Sequence, residues 1–182
     1  MLRKKLLTIA CVVGILACGA CFLPPLPQRK APLPPALASV HVIAIDVEDG
    51  ASGTLFDPRI MSNATASTFN QLWTDFPVRA EAFNETVPRD AVLKITVLRK
   101  TVSCNPEGSN KQLCSFELIV SVTLIAGDGK MLQSAPQKSS KFRVVYKRDS
   151  LPENLDENPF RQAASYSLAM TAGEVLFYSQ LQ

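Results

Sequence analysis

The residues of this 182-residue chain best suited to chemistry are its cysteines. Cys18 closes the stretch Ile15-Leu16-Ala17-Cys18, with small Ala17 just before it and an aliphatic residue three places back. Arg3, Lys4 and Lys5 precede an apolar run over residues 6–17. A charged start, an apolar middle and a small-residue cleavage site form the three parts of an export signal. A cysteine placed directly after the cut is the residue that carries the lipid in bacterial lipoproteins. Cys21, preceded by Cys18-Gly19-Ala20, is the alternative acceptor, although a cysteine three places back is atypical there. Two other readings remain open. Residues 6–23 hold 18 residues without a charge, the lower limit for a membrane-spanning anchor, and simple secretion is the third.

Cys104 and Cys114 have nine residues between them, and each stands beside a strand-like run. In an oxidising compartment such a pair forms a disulfide across the mouth of a hairpin, contributing roughly 2–3 kcal/mol by restricting the unfolded chain. Free thiols are the alternative. Two thiolates with no histidine nearby are too few ligands for zinc, so no metal is expected. The remaining candidates for catalysis are sparse. His41, the one histidine, lies in an apolar strand without a serine or cysteine motif beside it and reads as structural. Gly127-Asp128-Gly129 is too short to cradle phosphate and no helix follows it. Glu153, Asp156 and Glu157 read as a solvated loop, and the sequons at Asn63 and Asn84 carry no meaning behind a bacterial signal. No catalytic residue and no cofactor is expected.

Charge narrows the partners. The formal net charge of +3 resides in Arg3, Lys4 and Lys5; the 165 residues from Cys18 onward carry 16 basic and 16 acidic side chains. A neutral domain gives no electrostatic case for nucleic acid, and no basic run remains to hold it on anionic lipid by charge alone. Its length suffices for one domain with a core.

The elements that must position these residues follow from pattern. Residues 1–17 form the signal. Residues 18–38 contain six prolines between Cys21 and Ala38 and read as an extended tether that would hold the domain some tens of ångströms from a bilayer. The domain spans residues 39–182. Residues 40–47 are dense in β-branched residues and form a strand. Asp57-Pro58 opens a helix as cap and first residue, with Ile60, Met61, Ala64, Phe69, Leu72, Trp73 and Phe76 on its apolar stripe until Pro77 ends it. A second strand places Leu93, Ile95 and Val97 on one face, and a third places Phe116, Leu118, Val120, Val122 and Leu124 on one face with Glu117, Ser121 and Thr123 on the wet one. Asp128-Gly129 suits a tight hairpin turn with positive φ at both central positions. The chain returns through Met131-Leu132 and, after a polar interruption, through residues 141–147, where Phe142, Val144 and Tyr146 alternate with Lys141, Arg143 and Lys147. Asn158-Pro159 opens the last helix, with Phe160, Ala163, Ala164, Ser167, Leu168, Ala172, Val175 and Leu176 in one stripe. The expected fold is α+β: a two-layer sandwich in the order β-α-β-β-β-α, with a mainly antiparallel sheet and two helices on one face.

The opening strand VHVIAIDVED, the helix after it, DAVLKITVL before a long hairpin, the basic-aromatic strand KFRVVYKRD and the terminal helix NPFRQAASYSLAMTAGEVLFYSQL together resemble the LptE-type lipopolysaccharide-assembly lipoproteins. The resemblance covers most of residues 39–181. It implies an outer-membrane, lipid-anchored, periplasm-facing protein that plugs and helps assemble the lipopolysaccharide-translocating β-barrel and aids lipopolysaccharide insertion. Its implied partners are that barrel, lipopolysaccharide, and the membrane through the N-terminal lipid. The family often has glycine where this chain has Lys94. Lys141, Arg143, Lys147 and Arg148 are the candidates to meet acidic barrel groups or glycolipid phosphates, against an ordinary solvated strand face. An accessory lipoprotein of another periplasmic transport or secretion complex shares this address and size. The signal reading predicts that intact-mass analysis finds residues 1–17 lost and a lipid adduct on Cys18. Cys18→Ser should abolish the adduct, and persistence there with loss in Cys21→Ser would move the cleavage site.

Overall fold

The computed structural model describes residues 33, 35–51, 56–86, 89–147 and 158–178. Cys18, Cys21, Arg148, Glu153, Asp156 and Glu157 lie outside the described residues. The elements run β1 (Val42–Asp49), α1 (Pro58–Leu72), β2 (Arg79–Ala82), β3 (Ala91–Glu107), β4 (Lys111–Ala126), β5 (Met131–Lys147) and α2 (Asn158–Tyr178). One five-stranded sheet has the order β2-β1-β3-β4-β5. β1 pairs parallel with β2 and β3, and the β3-β4-β5 meander is antiparallel. Two helices and a mixed sheet make the α+β fold expected from pattern.

One sheet face is sealed. Ile43, Ile45 and Val47 of β1, Leu93, Ile95 and Val97 of β3, and Leu118 through Leu124 at alternate positions of β4 are buried. α1 covers β1 with Met61, Ala66 and Phe69, and α2 covers the meander with Phe160, Ala164, Leu168, Ala172, Val175 and Leu176. Asp57 caps α1 by accepting from the Arg59 and Ile60 amides, with Pro58 beginning the helix, so two of the end's unsatisfied donors are met.

Several details depart from the pattern reading. β2 is an additional strand of four residues, too short and too charged to alternate visibly. α1 stops at Leu72, with Trp73 as its cap, and its buried face is Met61, Ser62, Thr65, Ala66 and Phe69, while Ile60 is 38% exposed. Small hydroxyl residues take that face because α1 lies close to its neighbours: Ser62 Oγ accepts from the Val47 amide at 2.9 Å, and Thr68 Oγ1 lies 3.3 Å from Ser165 Oγ of α2. The tether boundary at residue 38 also shifts, since Pro35–Leu37 forms a 3₁₀ turn and Leu37 is buried in the core; a leucine beside the core gains more from burial than from solvation. Residues 131–147 form one continuous strand, the polar stretch being absorbed by irregular pairing near Pro136. Finally, Asp128 does not take positive φ. The Gly129 amide donates to the Ala126 carbonyl, and Gly129 alone is left-handed, at φ 86°, giving the three-residue loop that ends in a left-handed glycine.

Cys104 and Cys114 face each other across β3 and β4 and are disulfide-bonded. An especially close contact locks the two helices together. Trp73 lies on Gly173 of α2, so closely that a Cβ there would fall 2.0 Å from the indole Cε2. The indole N–H donates to the Ala169 carbonyl at 3.0 Å, and Phe69, Phe76 and Phe177 surround the ring. Gly173→Ala should therefore lower stability. Alanine favours the helix by about 1 kcal/mol, but overpacking a ring that cannot retreat costs about 1–3 kcal/mol, and the second effect wins. Thermal melting checks it, at about 2–4 °C per kcal/mol for a domain this size; an unchanged or raised melting temperature would contradict the lock.

Candidate functional site

Among the described residues no helix covers the second sheet face, and its character changes along the strands. A bulge decides the change. Val97 pairs with Val120, but Arg99 pairs with Ile119, so Leu98 is an extra residue in β3. Side chains alternate between faces with period two, so one added residue exchanges the faces beyond it. β5 has a matching insertion, with Val120 opposite Lys138 and Val122 opposite Ala135. Beyond both bulges, the open face is built of rows across three strands: Arg99, Ile119, Ser139; then Thr101, Glu117, Lys141; then Ser103, Ser115, Arg143; then Asn105, Leu113, Val145. Between the bulges lies a hollow of 460 Å³ lined by Leu98, Arg99, Ile119 and Ser139 among others.

Charge is segregated along the sheet. The far half, residues 98–120 and 138–147, carries seven Lys or Arg and two Asp or Glu, whereas the other described residues carry six and ten. Neutral overall, the domain is locally basic on its far half. The structure brings Lys141, Arg143 and Lys147 together at alternate positions of β5, on the open face. Glu117 accepts from Ser139 Oγ at 2.7 Å and from Lys141 Nζ at 3.2 Å. The Ser139 hydrogen bond first, and that of Lys141 second, hold the Glu117 carboxyl below its ordinary range. Arg99 and Arg143 have no acidic side chain opposite them in their rows. Arg99 escaped pattern reading because the register shift at Leu98, invisible in sequence, puts it beside the β5 cations.

The near half is different. Lys94 Nζ bonds Glu48 at 2.7 Å, which raises the Lys94 pKa. Asp46 lines a polar cleft of 780 Å³ with Arg59, Ser62, Asn63, Phe83 and Asn84. Burial, and then the Glu48 charge, push the Asp46 carboxyl above its ordinary value of 3.8. Asp90 closes the sheet's entrance by accepting from the His41 and Val42 amides at 2.8 and 2.9 Å, which lowers its pKa. His41 itself is exposed. Among the described residues, no group of three or more His, Cys, Asp or Glu is placed to hold a metal, and no helix is long and apolar enough to cross a membrane.

No protein-family model matches the sequence, and no curated protein matches it. Among solved structures the chain is similar to a minor lipoprotein from Acinetobacter baumannii, with 12% identity over 79% of this chain and 92% of that one and a TM-score of 0.39. It is similar to the PelC dodecamer from Paraburkholderia phytofirmans, with 15% identity over 81% and 96% and a TM-score of 0.40. A homologue of a neuraminyllactose-binding haemagglutinin from Helicobacter pylori aligns with 11% identity over 86% and 91% and a TM-score of 0.41.

Asp46 gives the near half a pH signature. Its raised folded pKa means that the ionised carboxylate costs folding stability at neutral pH; the cost fades as pH falls through that pKa and is gone below about 3.8, where both states are protonated. Asp46→Asn should melt higher than the parent at pH 7 and no higher below pH 3.8. A gain that persists unchanged in acid would show that the carboxylate's burial is not its source.

Proposed function

We propose that this chain is a lipid-anchored envelope protein that acts by docking rather than by catalysis, and that it plugs the lipopolysaccharide-translocating β-barrel of the outer membrane. One observation carries the reading: a rigid sheet sealed by two helices on one face and left polar, with a basic far half, on the other. The lumen of a transmembrane barrel is itself polar, so a sheet with this open face enters it without leaving polar groups dry. Lys141, Arg143 and Arg99 then meet acidic lumen groups or glycolipid phosphates. The export signal and Cys18 supply the membrane address, and the LptE-type resemblance of the sequence names the complex. The Cys104–Cys114 bridge stiffens the hairpin that would lead the insertion.

The test is a detergent pull-down of the full chain with mass spectrometry of its partners, compared with a Lys141→Glu/Arg143→Glu variant. Lys141 is 69% exposed at its side chain and its bond to Glu117 is a surface pair, worth about 0–1 kcal/mol, and the reversal opposes two carboxylates at a cost of about 0.2–1 kcal/mol, so the variant's melting temperature should fall by no more than a few degrees. A charge buried in an interface costs about 2–5 kcal/mol when it is lost, so partner recovery should fall sharply. Depletion should lower assembled barrel and raise outer-membrane permeability. A clean deletion with normal barrel and an intact barrier would overturn the translocon reading in favour of an accessory lipoprotein of another transport or secretion complex.

A further inference from the structure

β5 is the last strand of the sheet and, among the described residues, pairs on one side only, with β4. Over residues 138–147 that pairing is regular, each residue matched to one of β4 without a shift. The Lys141 carbonyl accepts from Ser167 Oγ of α2, a group outside the ladder. In an antiparallel pair, residues alternate between turning both backbone groups toward the neighbour and turning both away. Lys141 therefore belongs to the outward set, and so do Arg143 and Val145. Arg143 is exposed and Val145 is 48% exposed. Among the described residues no strand pairs with this side of β5 around Arg143 and Val145, and an unpaired sheet edge is a ready template for another strand.

The side chains select what that strand is. Lys141 and Arg143 stand at alternate positions on the open face of the edge, and directly opposed like charges destabilise a strand pair. A second copy of β5 running antiparallel through this segment brings cation against cation. An extended segment with acidic side chains at alternate positions meets them with charge complementarity. We propose that the outer edge of β5 around Arg143 and Val145 receives an acidic, extended segment of a partner polypeptide by strand addition. Main-chain bonds give such a contact its affinity, and the alternating side chains give its specificity. The inference rests on the reading of this chain as a docking protein, and it names how the partner is held.

The full chain in detergent is titrated with a short synthetic peptide alternating Glu and Val. A peptide alternating Lys and Val is the charge control, and phosphatidylethanolamine–phosphatidylglycerol vesicles test lipid. The Glu/Val peptide should bind, slow hydrogen exchange at the Arg143 and Val145 amides, and fail to bind when Lys replaces Glu. Val145→Pro removes an outward donor and leaves the β4 ladder whole, so it should melt as the parent does and bind about tenfold more weakly. The tenfold figure follows from the loss of an edge hydrogen bond and its neighbour's geometry. If Val145→Pro melts lower, Arg143→Glu, an exposed change, carries the decision by the same loss of peptide binding. Absent binding, equal binding of the Lys/Val peptide, binding indifferent to both variants, displacement of the peptide by vesicles, or self-association lost in Val145→Pro would each overturn the proposal. The barrel pull-down separates the two readings. A barrel recovered equally with Val145→Pro leaves the docking function standing and removes the edge. Peptide binding without a barrel does the reverse.

Discussion

The contact between Trp73 and Gly173 is the constraint on which the sheet depends. A sheet can leave one face open only if the other is dry, and here the dry face is closed by two helices that must meet each other as well as the strands. The absence of a Cβ at residue 173 lets the indole lie on the α2 backbone. Its N–H would otherwise be buried without an acceptor, and the Ala169 carbonyl supplies one. Phe177 stacks on Phe76 with centroids 3.6 Å apart, so the chain leaving α1 is pinned to α2 by aromatic contact over an area no aliphatic pair could cover. A second aromatic group, Phe116, Phe142 and Phe160, performs the same task at the start of α2. The helix is thus held at both ends.

With one face closed, the character of the open face is governed by two inserted residues. Had Leu98 taken a regular place in the ladder instead of forming a bulge, Lys100 and Val102 would lie on the open face and Arg99 would point toward the helices. The matching irregularity near Pro136 keeps β5 in step, so Phe142, Val144 and Tyr146 stay on the helix side while Lys141 and Arg143 stay outside. Proline is tolerated there because an irregular position spares the ladder a missing donor. The two bulges therefore convert an alternating sequence into one coherent basic surface across three strands.

Most of the layer structure was legible because it rests on periodicity. The stripe of α2, the alternation at Leu93–Ile95–Val97 and that from Phe116 to Leu124 are each a direct record of which face is dry. What was illegible depends on tertiary contact. Ser62 and Thr65 are buried because a strand amide and close helix packing demand small hydroxyl side chains, and a hydropathy stripe drawn through Ile60 and Ala64 misses them. β2 exists because the β1 edge is there to pair with, not because four residues reading Arg-Ala-Glu-Ala prefer a strand. Leu37 looks like one more residue of a proline-rich tether until the core it enters is known. Of the candidate site, Lys141, Arg143 and Lys147 were visible by alternation, while Arg99 needed the register.

Net charge was the least informative number in the sequence. Sixteen cations against sixteen anions describe a neutral chain from Cys18 onward, yet within the sheet an excess of each sign is placed in different halves. The acidic excess is largely used locally: Glu48 on Lys94, Asp90 on two strand amides, Asp57 on a helix end. Each of these satisfies a group that the fold itself creates. In the open-face rows the basic excess meets two acidic side chains, Glu117 opposite Lys141 and Glu107 opposite Lys111. Strand β3 is 17 residues long, roughly 55 Å at about 3.3 Å per residue. The chain enters at the near end of the sheet, beside the start of β3, and the surplus cations are carried along the far half, beyond Leu98. A basic excess displaced from the point of entry and mounted on a disulfide-tied hairpin is the arrangement that the proposed docking role requires.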